Sequence, residues 1–242
     1  MKEIPILFNG DMVRAILDGR KTQTRRLINP QPFNGVSDEE AIKQIGGLPA
    51  GRSLYQEINS AWQSRLVDID CPLGEPGDRL WVRETWKPDL CAIDACDCGC
   101  VRVEYLADNS FTYFENESIA ESWTMPKSAQ EGNDTPSIHM PRWASRITLE
   151  INTVRVERIQ DISKEDAKAE GLRLHSLYRE WGGVELHPDS RPDLPQWRWY
   201  DNPVEAFKNL WESINGAGSW DQNPWVWVIE FRRVEQQAEA AA

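Results

Sequence analysis

Residues 147–152 alternate apolar and polar side chains: Ile147, Leu149 and Ile151 against Thr148, Glu150 and Asn152. A period of two over that length marks a strand with one buried face. Val154, Val156 and Ile159 carry the pattern further, with Asn152-Thr153 as a turn or bulge inside it. Trp225 to Phe231 is apolar throughout apart from Glu230, which suits a central strand. A chain holding these two segments must build a sheet, and its amphipathic helices must pack on that sheet.

The helical signals are clear. Val13, Ile16 and Leu17 sit at i, i+3 and i+4, with Asp11 placed as N-cap and Gly19 as the residue that ends the helix. Ser163 caps a short helix, Lys164 to Glu170, with Asp166 as capping-box partner and Gly171 as terminator. Asn202-Pro203-Val204-Glu205 is a helix start with proline at its first position. Phe207, Leu210, Trp211 and Ile214 follow as a core stripe. Further strands are expected at residues 22–28, at 79–84 after the Pro76-Gly77-Asp78 turn, and at 101–106. Three weakly patterned stretches interrupt this frame, at 29–66, 88–137 and 173–200. The first has a helical patch near Glu39–Ile45, and residues 235–242 form a loose tail. One elaborated α+β domain spanning 1–242 accommodates all of this.

Lys+Arg 27 against Asp+Glu 39 leaves a net charge of −12. That balance argues against general nucleic-acid binding, which needs a basic footprint, but leaves room for a local basic pocket. No long apolar run or secretory leader is visible, so a cytoplasmic protein without a membrane span is expected. Twelve tryptophans serve packing first, and some could stack on a base. The five cysteines do not form a secreted disulfide framework. Four of them, Cys91, Cys96, Cys98 and Cys100, fall within ten residues and are candidate ligands of a structural zinc. The C-x-C-x-C spacing is tight for tetrahedral ligation unless the chain folds sharply at Gly99, and reduced free thiols are the plain alternative. His139 could complete such a site or be a hydrogen-bonded structural residue.

The stretch that concentrates chemistry is Asp18-Gly19-Arg20-Lys21-Thr22-Gln23-Thr24-Arg25-Arg26. Four cations and two hydroxyls cluster where a helix gives way to a strand. A hydroxyl nucleophile needs a base beside it, and Lys21 lies close to two threonines. A solvated basic turn explains the same residues without chemistry. Gly19-Arg20-Lys21-Thr22-x-Thr24-x-Arg26 resembles the signature of ASCH domains, in the PUA-like superfamily. Residues 12–17, 77–86, 138–146 and 225–231 resemble the phage and prophage branch of that family.

The resemblance implies a PUA-like mixed β-barrel flanked by helices. It also implies a nucleoside-directed amidohydrolase, of the kind that removes the acetyl group from N(4)-acetylcytidine. Carried onto this chain, the catalytic residues are Lys21, Thr24 and Glu170, and no cofactor is required. Thr24 would attack the amide carbonyl, Lys21 would act as a base kept neutral by neighbouring arginines, and Glu170 would serve the exocyclic amine. Independently of the resemblance, Glu170 falls at a helix C-terminus, where the macrodipole disfavours a negative charge. An exposed helical glutamate is the plain alternative. On a regular strand Lys21 and Thr24 point to opposite faces, so Lys21 must lie in the turn and curl back. Arg20, Arg26, Trp81, Glu84, Arg142 and Trp143 are candidate substrate contacts. Glu84 serves equally as a strand-end cap. Two other readings stay open. One is a module that binds RNA or a modified nucleotide through Arg20, Lys21, Arg25, Arg26, Arg142 and Arg146. The other is a phage accessory or morphogenetic protein.

Overall fold

The computed structural model describes residues 1–64, 70–90, 100–115, 119, 123–183 and 198–234. In chain order the elements are β1 (Glu3–Leu7), α1 (Gly10–Leu17), β2 (Gln23–Leu27), α2 (Asp38–Gln44), α3 (Leu54–Gln63), β3 (Arg79–Arg83), β4 (Trp86–Leu90), β5 (Val101–Tyr105), β6 (Ser110–Phe114), α4 (Lys127–Gln130), β7 (Thr148–Arg158), α5 (Lys164–Ala169), β8 (Arg173–Leu174), β9 (Trp181–Gly182), α6 (Pro203–Asn215) and β10 (Trp225–Val234). The class is α+β. Among the described residues the strands form no closed barrel.

The chain resolves into two compact units, each drawn from several stretches of sequence: 1–18 with 77–151 and 232–242, and 19–76 with 152–231. The division at Ile151/Asn152 falls inside β7, which runs unbroken through Asn152-Thr153, with no turn there.

In the first unit β1 pairs in parallel with β3, and β3 pairs antiparallel with the start of β7, Leu80 opposite Leu149. A separate antiparallel sheet has the order β4-β5-β6. Trp86, Val101, Val103, Tyr105, Met140 and Ala144 form its core, with Trp143, Trp123 and Phe114 packed against it. Helix α1 starts at Gly10, not after Asp11. Asn9 accepts the Met12 N–H at 2.9 Å, and Asp11 pairs with Arg14 instead. Gly19 follows the helix with φ +73°, the left-handed conformation that glycine adopts at no steric cost.

In the second unit β2 pairs antiparallel with β10, Gln23 opposite Glu230 and Thr24 opposite Ile229. Helix α6 begins as its sequence directs, with Asn202 accepting the Val204 N–H at 3.1 Å and Pro203 at the first position. Phe207, Leu210 and Trp211 are buried, whereas Ile214, expected in the same stripe, is 48% exposed in the last turn. The 29–66 stretch holds two helices, of which α3 carries a complete capping box from Ser53 and Gln56. Asn59 of α3 bonds both the N–H and C=O of Val156, and Trp62 packs on Trp227 at 5.0 Å. Arg158 binds Asp38 and the Val36 and Asn223 carbonyls, so this stretch is pinned by side-chain bonds to irregular backbone that no periodicity announces.

Candidate functional site

From Gly19 onward the chemistry-bearing stretch lies in the second unit. After Gly19 the chain does not enter a regular strand at once. Lys21 forms a single bridge with Glu170, Thr22 N–H donates to Ala169 at 2.9 Å, and β2 begins only at Gln23. Lys21 therefore lies outside the strict alternation of β2. Its ammonium donates to Glu170 Oε2 and to the Glu170 carbonyl, both at 2.9 Å. Its side chain has no solvent exposure, and that of Glu170 is 3% exposed. Burial pulls the Lys21 pKa below the ordinary lysine value of 10.5. Glu170 opposes that shift, and Arg26 and Arg25 add to it.

Glu170 is the C-cap residue of α5, set there by Ser163, whose hydroxyl accepts the Asp166 N–H at 3.0 Å and starts the helix. It is not the exposed helical glutamate that the sequence left open. Arg25 Nη1 donates to its second oxygen, Oε1, at 2.9 Å. Arg25 also binds Glu157 of β7, with Nε at 2.9 Å, and Asp166 at 3.2 Å. Asp166 does not return to Ser163 as a capping-box partner. Its carboxylate accepts from Gln23 at 3.0 Å and Arg155 at 2.8 Å, and Arg155 continues to Glu230. Burial acts to raise the Asp166 pKa, yet Gln23, Arg25 and Arg155 hold it below the usual aspartate range. Burial likewise works against the Arg25 charge, but Glu170 and Glu157 outweigh it and raise its pKa.

Alternation along β2 sorts the signature into two faces. Gln23 and Arg25 face the acidic cluster. Thr24 and Arg26 take the other face, with Ile229 and Trp227 opposite them on β10. Thr24 is 2% exposed, and burial lowers the Arg26 pKa. Arg20 donates to the carbonyls of Gly171 and Leu172 at 2.6 and 3.4 Å.

The remaining candidate contacts belong to the first unit. Glu84 is 1% exposed, with Arg146 Nε on Oε1 and Nη2 on Oε2, each at 2.8 Å. An internal ion pair thus accounts for it fully. Burial raises the Glu84 pKa against the pull of Arg146. Trp81 is buried with Arg83 over its ring at 4.6 Å, and Arg142 pairs with Glu3 at 2.9 Å. Trp143 is half-buried and packs edge to face against Trp86, Trp123 and Phe114 at 5.1–6.1 Å.

Cys100 is disulfide-bonded, a state in which its sulfur is no zinc ligand. Cys91, Cys96 and Cys98 lie outside the described residues. Among the described residues no group of histidine, cysteine and carboxylate side chains is arranged to hold a metal, and His139 is exposed. No helix among them is long and apolar enough to cross a membrane.

Sequence reasoning brought Lys21 and Glu170 together and missed the residues behind them: Gln23, Glu157, Arg155 and Glu230, with Arg25 in its true role. A signal existed. Gln23 and Arg25 alternate with Thr24 on one strand, and Arg155 and Glu157 alternate with Val154 and Val156 on another. Polar side chains at i, i+2 in buried strands need hydrogen-bond partners inside the fold. Comparison with family models, with curated proteins and with solved structures found no match to this chain.

Proposed function

We propose that this chain is an amidohydrolase acting on an acylated nucleoside, with Lys21 and Glu170 handling protons and Thr24 as nucleophile. The observation that carries the reading is the fully buried Lys21 ammonium, 2.9 Å from Glu170, with a depressed pKa. A general base works best when its pKa lies near the operating pH, and burial moves a lysine in that direction. The ASCH resemblance places the same three residues in catalysis, and the PUA-like barrel it implies belongs to this proposal.

In the proposed reaction Lys21 first yields a proton to Glu170. Thr24 Oγ, which β2 presents on the face away from Arg25, then attacks the amide carbonyl, and its proton passes to the neutral Lys21 amine. The tetrahedral intermediate collapses, the C–N bond breaks, and the departing exocyclic amine takes a proton from the Lys21–Glu170 pair. Water then hydrolyses the threonine ester, releasing the carboxylic acid and restoring the hydroxyl. Arg26 shares the Thr24 face of β2 and is suited to the oxyanion. The cations of the signature favour this reading over an RNA-binding module. Lys21 and Arg25 are buried in internal ion pairs and Arg20 is turned onto backbone carbonyls, whereas phosphate contact needs exposed donors.

The test is release of cytidine from N(4)-acetylcytidine, followed by chromatography, for wild type, Lys21→Ala and Thr24→Ala. Turnover by wild type and its loss by about 100-fold or more in both variants are expected, the usual range for a general base or nucleophile. Equal turnover in all three proteins would exclude the mechanism.

A further inference from the structure

The Lys21–Glu170 pair stands on a fork that the proposed reaction does not use. Arg25 Nη1 occupies Glu170 Oε1, the oxygen opposite the one that Lys21 holds. The remaining nitrogens of the guanidinium are committed to Glu157 and Asp166, and the side chain has no exposure. Each anchor is fixed in turn. Arg155 reaches Glu157 at 3.4 Å and Asp166 at 2.8 Å, Gln23 holds Asp166 at 3.0 Å, and Arg155 ends on Glu230. Phe207 of α6 lies 5.8 Å from the guanidinium carbon. The fork is thus gripped by β7, α5 and α6 before it touches Glu170.

We propose that Arg25 is a positioning residue for the Lys21–Glu170 pair: it fixes Oε1 of Glu170 so that Oε2 alone is presented to the lysine. This rests on the reading of that pair as the reactive one. A carboxylate held at one oxygen by a rigid donor cannot turn, so its second oxygen stays at proton-transfer distance. Only a planar fork reaches Glu170, Glu157 and Asp166 together, because an ammonium is a single point charge on a flexible stem. The same contact sets the field at Lys21. The charged groups that act on its titration are Glu170 from the end of α5 and Arg25 and Arg26 from β2. Arg25 shares the charge of Glu170 and adds a positive one, and both effects disfavour the protonated lysine.

Two variants separate positioning from folding. Arg25→Lys keeps a charge and removes the fork. Arg25→Met with Glu157→Gln removes the fork together with one anion it neutralises, which protects the fold. The Lys21 side chain is titrated by NMR in protein with isotope-labelled lysine, assigned with Lys21→Arg, and kcat and KM are followed against pH. In the double variant Lys21 is expected to titrate higher than in wild type, because the positive charge of Arg25 is gone and Glu170 keeps its full charge. The acid limb of the rate profile moves with it. In both variants kcat falls about tenfold or more while KM is unchanged, as expected when proton transfer is misaligned. A Lys21 titration that does not move in the double variant, or wild-type kcat in either variant, would overturn the proposal. If wild type hydrolyses no acylated nucleoside, the amidohydrolase reading falls, and the Lys21 titration alone decides the claim about Arg25.

Discussion

Glu84 and Glu170 are both buried carboxylates held by arginine, one in each compact unit, and they are held in different ways. Arg146 closes both oxygens of Glu84 with two parallel bonds and spends its third nitrogen on Asp108 and Ser110. Tyr105 lies beneath that guanidinium at 4.1 Å. Every acceptor there has a donor that cannot give up its proton, since arginine stays charged in proteins. Glu170 divides its oxygens between Arg25, which also keeps its proton, and Lys21, which can lose one. A carboxylate saturated by one fork is a clamp. A carboxylate split between a fork and a buried lysine is a clamp on one side and a proton exchanger on the other.

Breaking either pair from one side should be costly. Glu170→Leu strands Lys21 and empties one nitrogen of Arg25, and Arg146→Met strands Glu84. Each should lose about 3–5 kcal/mol of stability, the cost of an uncompensated buried charge. Urea unfolding checks this, and a loss under ~1 kcal/mol in either variant would show that water reaches the stranded group. Removing both partners should recover most of the loss in each cluster, because two apolar side chains need no counter-charge.

The clusters should also answer pH with opposite signs. Lys21 titrates lower folded than unfolded, so between its folded pKa and the ordinary 10.5 the unfolded chain binds the extra proton. Stability contributed through Lys21 rises with pH across that window. Glu84 titrates higher folded than unfolded, so above the ordinary 4.5 the folded chain binds the extra proton. Its contribution falls as pH rises through that window. Unfolding of wild type against Lys21→Met at alkaline pH, and against Glu84→Gln at acid pH, reads each slope. Equal signs would contradict the assignment. The smallest effect is expected at Ser163→Ala, which removes the N-cap of the short helix that delivers Glu170. It should cost ~1 kcal/mol. A loss several times larger would mean that the cap also supports the Asp166 network.

The parts of this molecule legible in its sequence are those where periodicity and capping agree. β7, α6 and α5 follow from alternation at 147–151, from Asn202-Pro203 and from Ser163. Gly19 was readable as the end of a helix, whereas Lys21 and Glu170 were singled out by the ASCH resemblance, with only the helix-end position of Glu170 legible from the residues themselves. What sequence did not reveal is long-range and polar. Asp11 and Asp166 look like caps, yet each side chain turns to an arginine, since a charged partner outweighs a backbone N–H. Arg25 looks like another cation of a basic turn until β7 and α5 bring Glu157, Asp166 and Glu170 around it, from 132 to 145 residues away. Glu84 looks like a cleft residue because strand ends often are, and only packing shows it to be internal.

The most direct test of the difference between the two clusters is turnover of N(4)-acetylcytidine by the two apolar replacements, at equal folded fraction. Lys21→Met with Glu170→Leu should retain the fold and lose hydrolysis by about 1,000-fold or more, as removal of a proton-transfer pair predicts. Arg146→Met with Glu84→Leu should retain both. Equal turnover in the two proteins, whether both active or both inactive, would contradict the assignment of the split carboxylate as the reactive one.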